Sequence, residues 1–414
     1  MSESTHSRFD MRPTAAVMES NSAAGPGRRP APLGGTKSGG GQRFGFVDLL
    51  RGLALIVMVE THVVNAYLPK SARECAFFFW LSFVNGLVAP SFLFASGFSL
   101  ILQARRKWED FLHSGPAFRK HLRRMGFILL AAYFLHLPHF GLSRYLAPQN
   151  QAFWKSAFQV DVLQCIVVSL LVIDALIFLT RKPKVHFWAV ATIGVAATLL
   201  TPWIWAQDFT TRLPLPLAMF LNPHGVSLFP IFPWISFVAA GSCAAMLFLE
   251  AVEKRVDERF MARSFWLAAA AIAAALLARG MPLFHSWNVD FYKISPLYVL
   301  IRLGCVMILC TGLYAMEKRL GWVPNAIRLA GQESLLVYCA HLLLIFSVLR
   351  RPPVSMILGR EAGYGFCFLI SAVLILLMLC LAAVWHGWKG GHPHLAKLVP
   401  AGLVAVNLII FLLL

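Results

Sequence analysis

From Val47 onward the chain alternates long apolar runs with short polar links. The runs fall at about 47–68, 76–103, 122–146, 160–180, 185–206, 225–249, 263–284, 296–316, 331–349, 364–388 and 397–414. Each is close to the roughly 20 residues a helix needs to cross a bilayer. The last is shortened by Lys397 and Pro400. The pattern predicts an all-α fold, a polytopic membrane helix bundle of about 10–11 transmembrane helices. Residues 1–43, rich in Ser, Gly, Pro and Arg without apolar periodicity, read as a disordered basic tail. Residues 44–414 read as one integral-membrane domain. The first apolar run is too long and too far in to be a cleavable signal peptide. The sequence shows neither a direct nor an inverted repeat.

Composition strengthens this reading. The chain is 58% hydrophobic and 14% charged, with a mean hydropathy of +0.67, where soluble domains are near a quarter charged. A net charge of +18 raises the prospect of a nucleic-acid partner, but the charge is gathered in short loops between apolar runs, where it sets topology. With the amino terminus in the cytoplasm, about 25 Lys and Arg fall inside and about 10 outside. Arg350, Arg351 and Arg360 form the main exception. The orientation predicts a multi-pass protein of a bacterial inner membrane with lipid as its surroundings and no nucleic-acid partner. Seven of the eight cysteines lie in apolar runs, Cys75 sits at a span boundary, and there is no C-x-x-C pair. They read as small buried hydrophobes, so no metal is expected.

Chemistry enters with polar residues inside the runs, since a charge at membrane depth costs at least a few kcal/mol. The first span, VDLLRGLALIVMVETHVVNAYL, holds Arg51, Glu60 and His62. Eleven residues at about 100° each return Arg51 and His62 to nearly one face, roughly 16 Å apart along the axis. Topology then places His62, Asp161, Gln164, Arg302, Tyr338 and His341 towards the outer side, where they can share one cavity, with His136 and His139 ending the third span there. Arg51, Arg123, Arg124 and Gln332 lie towards the cytoplasm. The two groups mark opposite ends of one polar passage. Plain structural readings stand beside this one. His62 and His341 would be neutral core histidines, Arg51 an interfacial anchor and Asp161 a helix cap. Glu60, off the His62 face, would pair with another helix. Pro230, Pro233 and Trp234 would kink the sixth span, and His386, His392 and His394 would be solvated loop residues.

The pattern F-V-D-L-L-R-G, with ten residues between Arg51 and His62, resembles the first helix of integral-membrane acyltransferases, in which R-x10-H is a hallmark of the type-3 enzymes. The surrounding elements FFFWLSFVNGLVAPSFLFASGFSLIL, DVLQCI, LFPIFPW and GQESLLVYCAH are similar to bacterial relatives of the heparan-alpha-glucosaminide N-acetyltransferase catalytic domain. They run from Asp48 to about Leu349. In the eukaryotic heparan enzymes the position matching His62 is asparagine, and the catalytic histidine falls about eleven residues later, where this chain has Arg73 and Glu74. Heparan as substrate is therefore not carried over.

The resemblance implies transfer of an acetyl or other acyl group from cytosolic acetyl-CoA (acyl-CoA) to an acceptor across the membrane, a sugar or envelope glycan. Arg51 and basic residues among Arg105, Arg106, Lys107, Arg123 and Arg124 would hold the donor phosphates, with Gln332 beside them. His62 would take the acceptor proton, with Asp161 orienting it and His341 a second base. Gln164 or Tyr338 would donate to the oxyanion, and Arg302 would contact substrate. A covalent acetyl-histidine is the other route. The competing class is a proton-coupled small-molecule transporter, which also carries midplane His, Asp and Arg. The sequence is compatible with a homo-oligomer.

Overall fold

The computed structural model describes residues 44–137, 141–223, 226–281, 295–320, 324–348 and 362–413. The tail read over 1–43, His139, and Arg350, Arg351 and Arg360 lie outside the described residues. The principal helices are α1 (Gly45–Tyr67), α2 (Ala76–Asn85), α3 (Val88–Ala104), α4 (Pro116–His136), α5 (Val162–Thr180), α6 (Pro183–Trp205) and α7 (Ile231–Glu253). They continue as α8 (Asp257–Arg279), α9 (Pro296–Leu320), α10 (Asn325–Gln332), α11 (Ser334–Leu342), α12 (Tyr364–Gly391) and α13 (Leu395–Leu413). Among the described residues there is no strand. The fold is an all-α, polytopic membrane bundle, and each of the apolar runs contains a helix or a helix pair.

Among the described residues eight helical segments are long and apolar enough to cross a membrane, or nine if the bent pair α10–α11 forms one span. The expected 10–11 spans exceed this because α1 and α4, at 23 and 21 residues, are long enough but polar. Asp48, Arg51 and Glu60 lower the hydropathy of α1, and Arg119, Lys120, Arg123 and Arg124 lower that of α4. The run 76–103 is divided at Gly86–Leu87 into α2 and α3. The run 331–349 is the second half of a pair bent by 84°. The third helix begins at Pro116, six residues before its apolar run. Asp110 fixes that start by accepting from Ala117 N–H (2.7 Å) and Phe118 N–H (3.2 Å).

α1 is the central element, packed against α3, α9, α10, α11 and α12. Glycines let its backbone approach its neighbours. A Cβ on Gly52 would stand 2.1 Å from the Ile327 carbonyl oxygen, and one on Gly331 would stand 1.9 Å from that of Asp48. α1 and α10 therefore meet backbone to backbone, as small residues allow in membrane bundles. The first turn of α1 lacks a side-chain cap of its own. Glu317 of α9 supplies it, accepting from Gly45 N–H (3.1 Å) and Phe46 N–H (2.7 Å). A carboxylate there also meets the positive end of the helix dipole. Below it, Phe46 lies edge-on to Phe98, Phe248 and Tyr314, so α1, α3, α7 and α9 share one aromatic core. In α7 the backbone leaves helical geometry at Phe232, before the cis Phe232–Pro233 bond. Trp205 of α6 donates to the freed Phe232 carbonyl (2.9 Å). The prolines thus shape this helix as their positions predict.

Candidate active site

One turn into α1, Arg51 donates through Nη2 to Asp48 Oδ1 and to Ser99 Oγ of α3, both at 3.1 Å. Gln332, the last residue of α10, donates to the other Asp48 oxygen at 3.3 Å. Asp48 thus joins α1 to the broken span α10–α11. The break is pinned at Glu333, which accepts from His386 Nδ1 (3.0 Å) and from Lys389 of α12. His386 belongs to α12 and is part of this tie.

Along the same face of α1, Leu55, Ile56 and Val59 form one wall of a narrow apolar crevice. Ala330 and Val337, on either side of the break, and Ile375, Met378 and Leu379 of α12 complete its lining. The crevice therefore lies on the α1 stretch between Arg51 and His62, against the same broken span that carries Gln332 and His341.

At the far end, the His62 ring lies 5.3 Å from that of His341, tilted by 34°, and 5.7 Å from Phe346. Phe346 belongs to the π-helical turn Leu343–Val348 that continues α11. π turns of this kind recur at functional sites. Tyr338 sets its ring edge-on to His341 at 5.7 Å and donates its hydroxyl to Asp161 Oδ2 at 3.2 Å. His136 Nε2 meets the same oxygen at 2.7 Å. Asp161 Oδ1 is occupied separately, accepting from Val162 N–H at 2.7 Å. Gln164 Oε1 accepts from Asp161 N–H at 3.2 Å, and together these contacts form a capping box at the start of α5. Asp161 is therefore both the helix cap and a member of the polar cluster, one oxygen serving each. His62 stands within electrostatic reach of Asp161 and His136.

Hydrogen-bond accounting separates these groups. His341 Nδ1 lies 2.9 Å from the Val337 carbonyl, which only accepts, so Nδ1 carries the hydrogen. In the neutral ring the lone pair then belongs to Nε2. That atom is buried without a partner, in a residue of zero exposure. Gln164 is equally buried, and its Nε2 also lacks a partner. Since its Oε1 takes the Asp161 N–H, the unpaired end is a donor. Buried polar groups without partners are rare, and each calls for an explanation. By contrast, His136 spends Nδ1 on the Ala132 carbonyl at 3.0 Å and Nε2 on Asp161, leaving no lone pair to offer.

Of the residues expected at the outer cavity, His62, Asp161, Gln164, Tyr338 and His341 come together. Arg302 stands in a different pocket, its guanidinium carbon 4.2 Å from the Tyr298 ring centroid and 5.7 Å from that of Trp234. Aromatic faces attract the cation there. Of the inner group, Arg51 and Gln332 meet through Asp48. Arg123 and Arg124 are exposed on α4 because its buried face is that of His121 and Met125. Glu60 turns away from His62 and is hydrogen-bonded with Asn85 of α2. Asp48, Ser99 and the Asp161 pairing of His136 were not anticipated. The i, i+3 spacing of Asp48 and Arg51 is a local signal for one of these, but Ser99 and His136 meet their partners only through tertiary packing.

A bundle of long apolar helices with polar residues gathered inside it defines a multi-pass membrane protein. The chain belongs to the family of the heparan-alpha-glucosaminide N-acetyltransferase catalytic domain, whose family model matches residues 43–278, more than half its length. It is thus a membrane acetyltransferase by family. The match covers Arg51, His62, Asp161 and Gln164 and ends within α8. No curated protein matches the sequence.

Proposed function

We propose that the protein transfers an acetyl or longer acyl group from cytosolic acyl-CoA to a sugar or other envelope-glycan acceptor on the opposite side of a bacterial inner membrane. The observation that carries this reading is the layout of α1. Arg51, an apolar crevice and His62, which faces His341 of α11, follow one another along α1 over roughly 16 Å. An extended pantetheine arm is long enough for that path, and the crevice, about 10 Å³ here, widens to admit it and its amides. The charge asymmetry of the loops supports a cytoplasmic amino terminus and hence donor entry at the Arg51 end.

In this reading the donor phosphates meet Arg51 and basic residues of the adjoining loops, Arg105, Arg106 and Lys107 among them, with Arg123 and Arg124 contributing only from the exposed face of α4. Gln332 and Asp48 hold Arg51 in position. The thioester carbonyl arrives between His62 and His341. An acceptor hydroxyl or amine attacks it and gives its proton to an imidazole lone pair, that of His341 Nε2 being oriented for the task. The Gln164 amide donates to the developing oxyanion, with the Tyr338 hydroxyl held nearby on Asp161. Asp161 offsets the positive charge that the ring acquires, and His62, ring to ring with His341, takes the proton with it, so that the pair acts as one base. The bond formed is between acceptor and acyl carbon, the bond broken is the thioester C–S, and the proton leaves with the thiol of CoA.

The test is transfer from labelled acetyl-CoA in membrane vesicles. His62→Ala should lower turnover by about 10²- to 10⁴-fold, whereas Arg51→Gln should raise the KM for acyl-CoA more than that for the acceptor. Unchanged turnover in His62→Ala would contradict the reading. A carrier would instead move its solute in vesicles without binding or cleaving acyl-CoA.

A further inference from the structure

Arg302 lies outside the histidine cluster, and some polar atoms of its neighbourhood are left without a partner among the described residues. Its Nε is buried without a hydrogen-bond partner, as is Nε1 of Trp234, whose ring it faces. Asn85 Oδ1 is unpaired as well, one residue before Gly86. A Cβ on Gly86 would stand 3.3 Å from Arg302 Nη2, so the absence of a side chain there gives the guanidinium its room. Among the described residues Arg302 has no carboxylate within ion-pairing distance. Arg302 is hydrogen-bonded with Tyr298, so its Nε, the Trp234 N–H and Asn85 Oδ1 are the groups of this neighbourhood left without a partner among the described residues. Leaving such groups unsatisfied in a buried place is costly, more so for a charge. The pocket also adjoins the polar cluster. Phe229 packs edge-on against Trp234 at 4.8 Å. Leu228 and Phe229 donate their N–H groups to the Val160 carbonyl (2.9 and 3.2 Å), and Ser227 Oγ accepts from Val160 N–H (3.1 Å). Asp161 is the next residue.

We infer that Arg302, Trp234 and Asn85 form the acceptor subsite, and that the acceptor is an acidic sugar, one bearing a carboxylate or phosphate. This rests on the acyltransferase reading above. The acidic group takes the Arg302 and Trp234 donors, a guanidinium fork being suited to two oxygens of one oxyanion. The sugar ring lies on the aromatic faces, and one of its hydroxyls donates to Asn85 Oδ1. The loop from Ser227 to Trp234 then sets the distance between the acidic group and the atom to be acylated.

The experiment measures binding by the purified full-length protein in lipid nanodiscs, at constant ionic strength, of D-glucuronate, D-glucose 6-phosphate and D-glucose. Acetyl-CoA serves as the control ligand. The expected result is that at least one acidic sugar binds about tenfold or more tightly than glucose. The stronger acid identifies carboxylate or phosphate as the partner. Arg302→Gln should erase the preference and Trp234→Phe should reduce it several-fold, with acetyl-CoA binding unchanged in both. Should Arg302→Gln fail to fold, Trp234→Phe decides, since it keeps the ring and removes only the N–H. Equal binding of all three sugars by the unmodified protein would overturn the proposal, as would an acid preference that survives the substitution. An acid preference that depends on Arg302 in a protein that does not bind acetyl-CoA would keep the anion subsite and refute the acyltransferase reading instead.

Discussion

The two ends of α1 carry polar residues of similar cost and treat them in opposite ways. At the Arg51 end, Asp48, Ser99 and Gln332 bond to one another through the guanidinium and the carboxylate, Glu317 caps the helix, and glycines lock α1 to α10. At the His62 end, the carboxylate is equally well bonded, but His341 Nε2 and Gln164 Nε2 are left without partners. A network bonded across α1, α3, α9 and α10 holds those elements in place. An unsatisfied one is stable only because the surrounding fold pays for it, and it gains its partners when a ligand arrives. The contrast assigns positioning and donor binding to the first end and chemistry to the second.

Substitutions can break that contrast, and the largest effect is expected at the open end. His341→Ala removes the oriented lone pair. Turnover in vesicles should fall by about 10²- to 10⁴-fold, while circular dichroism still reports a folded bundle. Turnover near the original level would return His341 to the role of a core histidine. At the held end the largest expected effect is on stability. Gly331→Ala inserts a methyl group 1.9 Å from the Asp48 carbonyl oxygen and should destabilise the bundle by about 1–3 kcal/mol. Thermal unfolding in detergent measures it, and an unshifted midpoint would mean that α1 and α10 are not in backbone contact. A smaller effect sharpens the comparison within one residue. Asn caps a helix about as well as Asp, so Asp161→Asn keeps the cap and should cost stability only through the buried His136 pair, by about 1–3 kcal/mol. It removes the charge facing His136 and Tyr338, and turnover should drop about tenfold. Unchanged turnover would make Asp161 structural and nothing more.

Much of this was readable in the chain because it is local. Apolar runs set the helices, and an eleven-residue spacing put Arg51 and His62 on one face. The D-x-x-Q spacing of Asp161 and Gln164 placed them on one face of α5, where they form a capping box. The kinked start of α7 follows from its prolines. The depth argument also brought His341 and Tyr338 to His62 and Asp161, since helix rise and topology fix depth. What stayed hidden depends on rotation about each helix axis and on contacts far apart in sequence. Depth alone put Arg302 with the histidines, but its rotation turns it towards Tyr298 and Trp234. Arg123 and Arg124 share the right level with Arg51 but face outwards. The cap on α1 comes from Glu317, some 270 residues away, and no local pattern announces it. Nor does composition reveal the break at Glu333, which Lys389 and His386 hold from another helix.

The most direct measurement is a structure with a non-cleavable acetyl-CoA analogue bound. The account predicts the phosphates at the Arg51 end and the pantetheine arm along Leu55 and Val59. The carbonyl should lie within hydrogen-bonding distance of Gln164 Nε2, with His341 Nε2 facing the approach to its carbon. An analogue bound elsewhere, with the crevice closed and the two imidazoles sealed from it, would contradict the account.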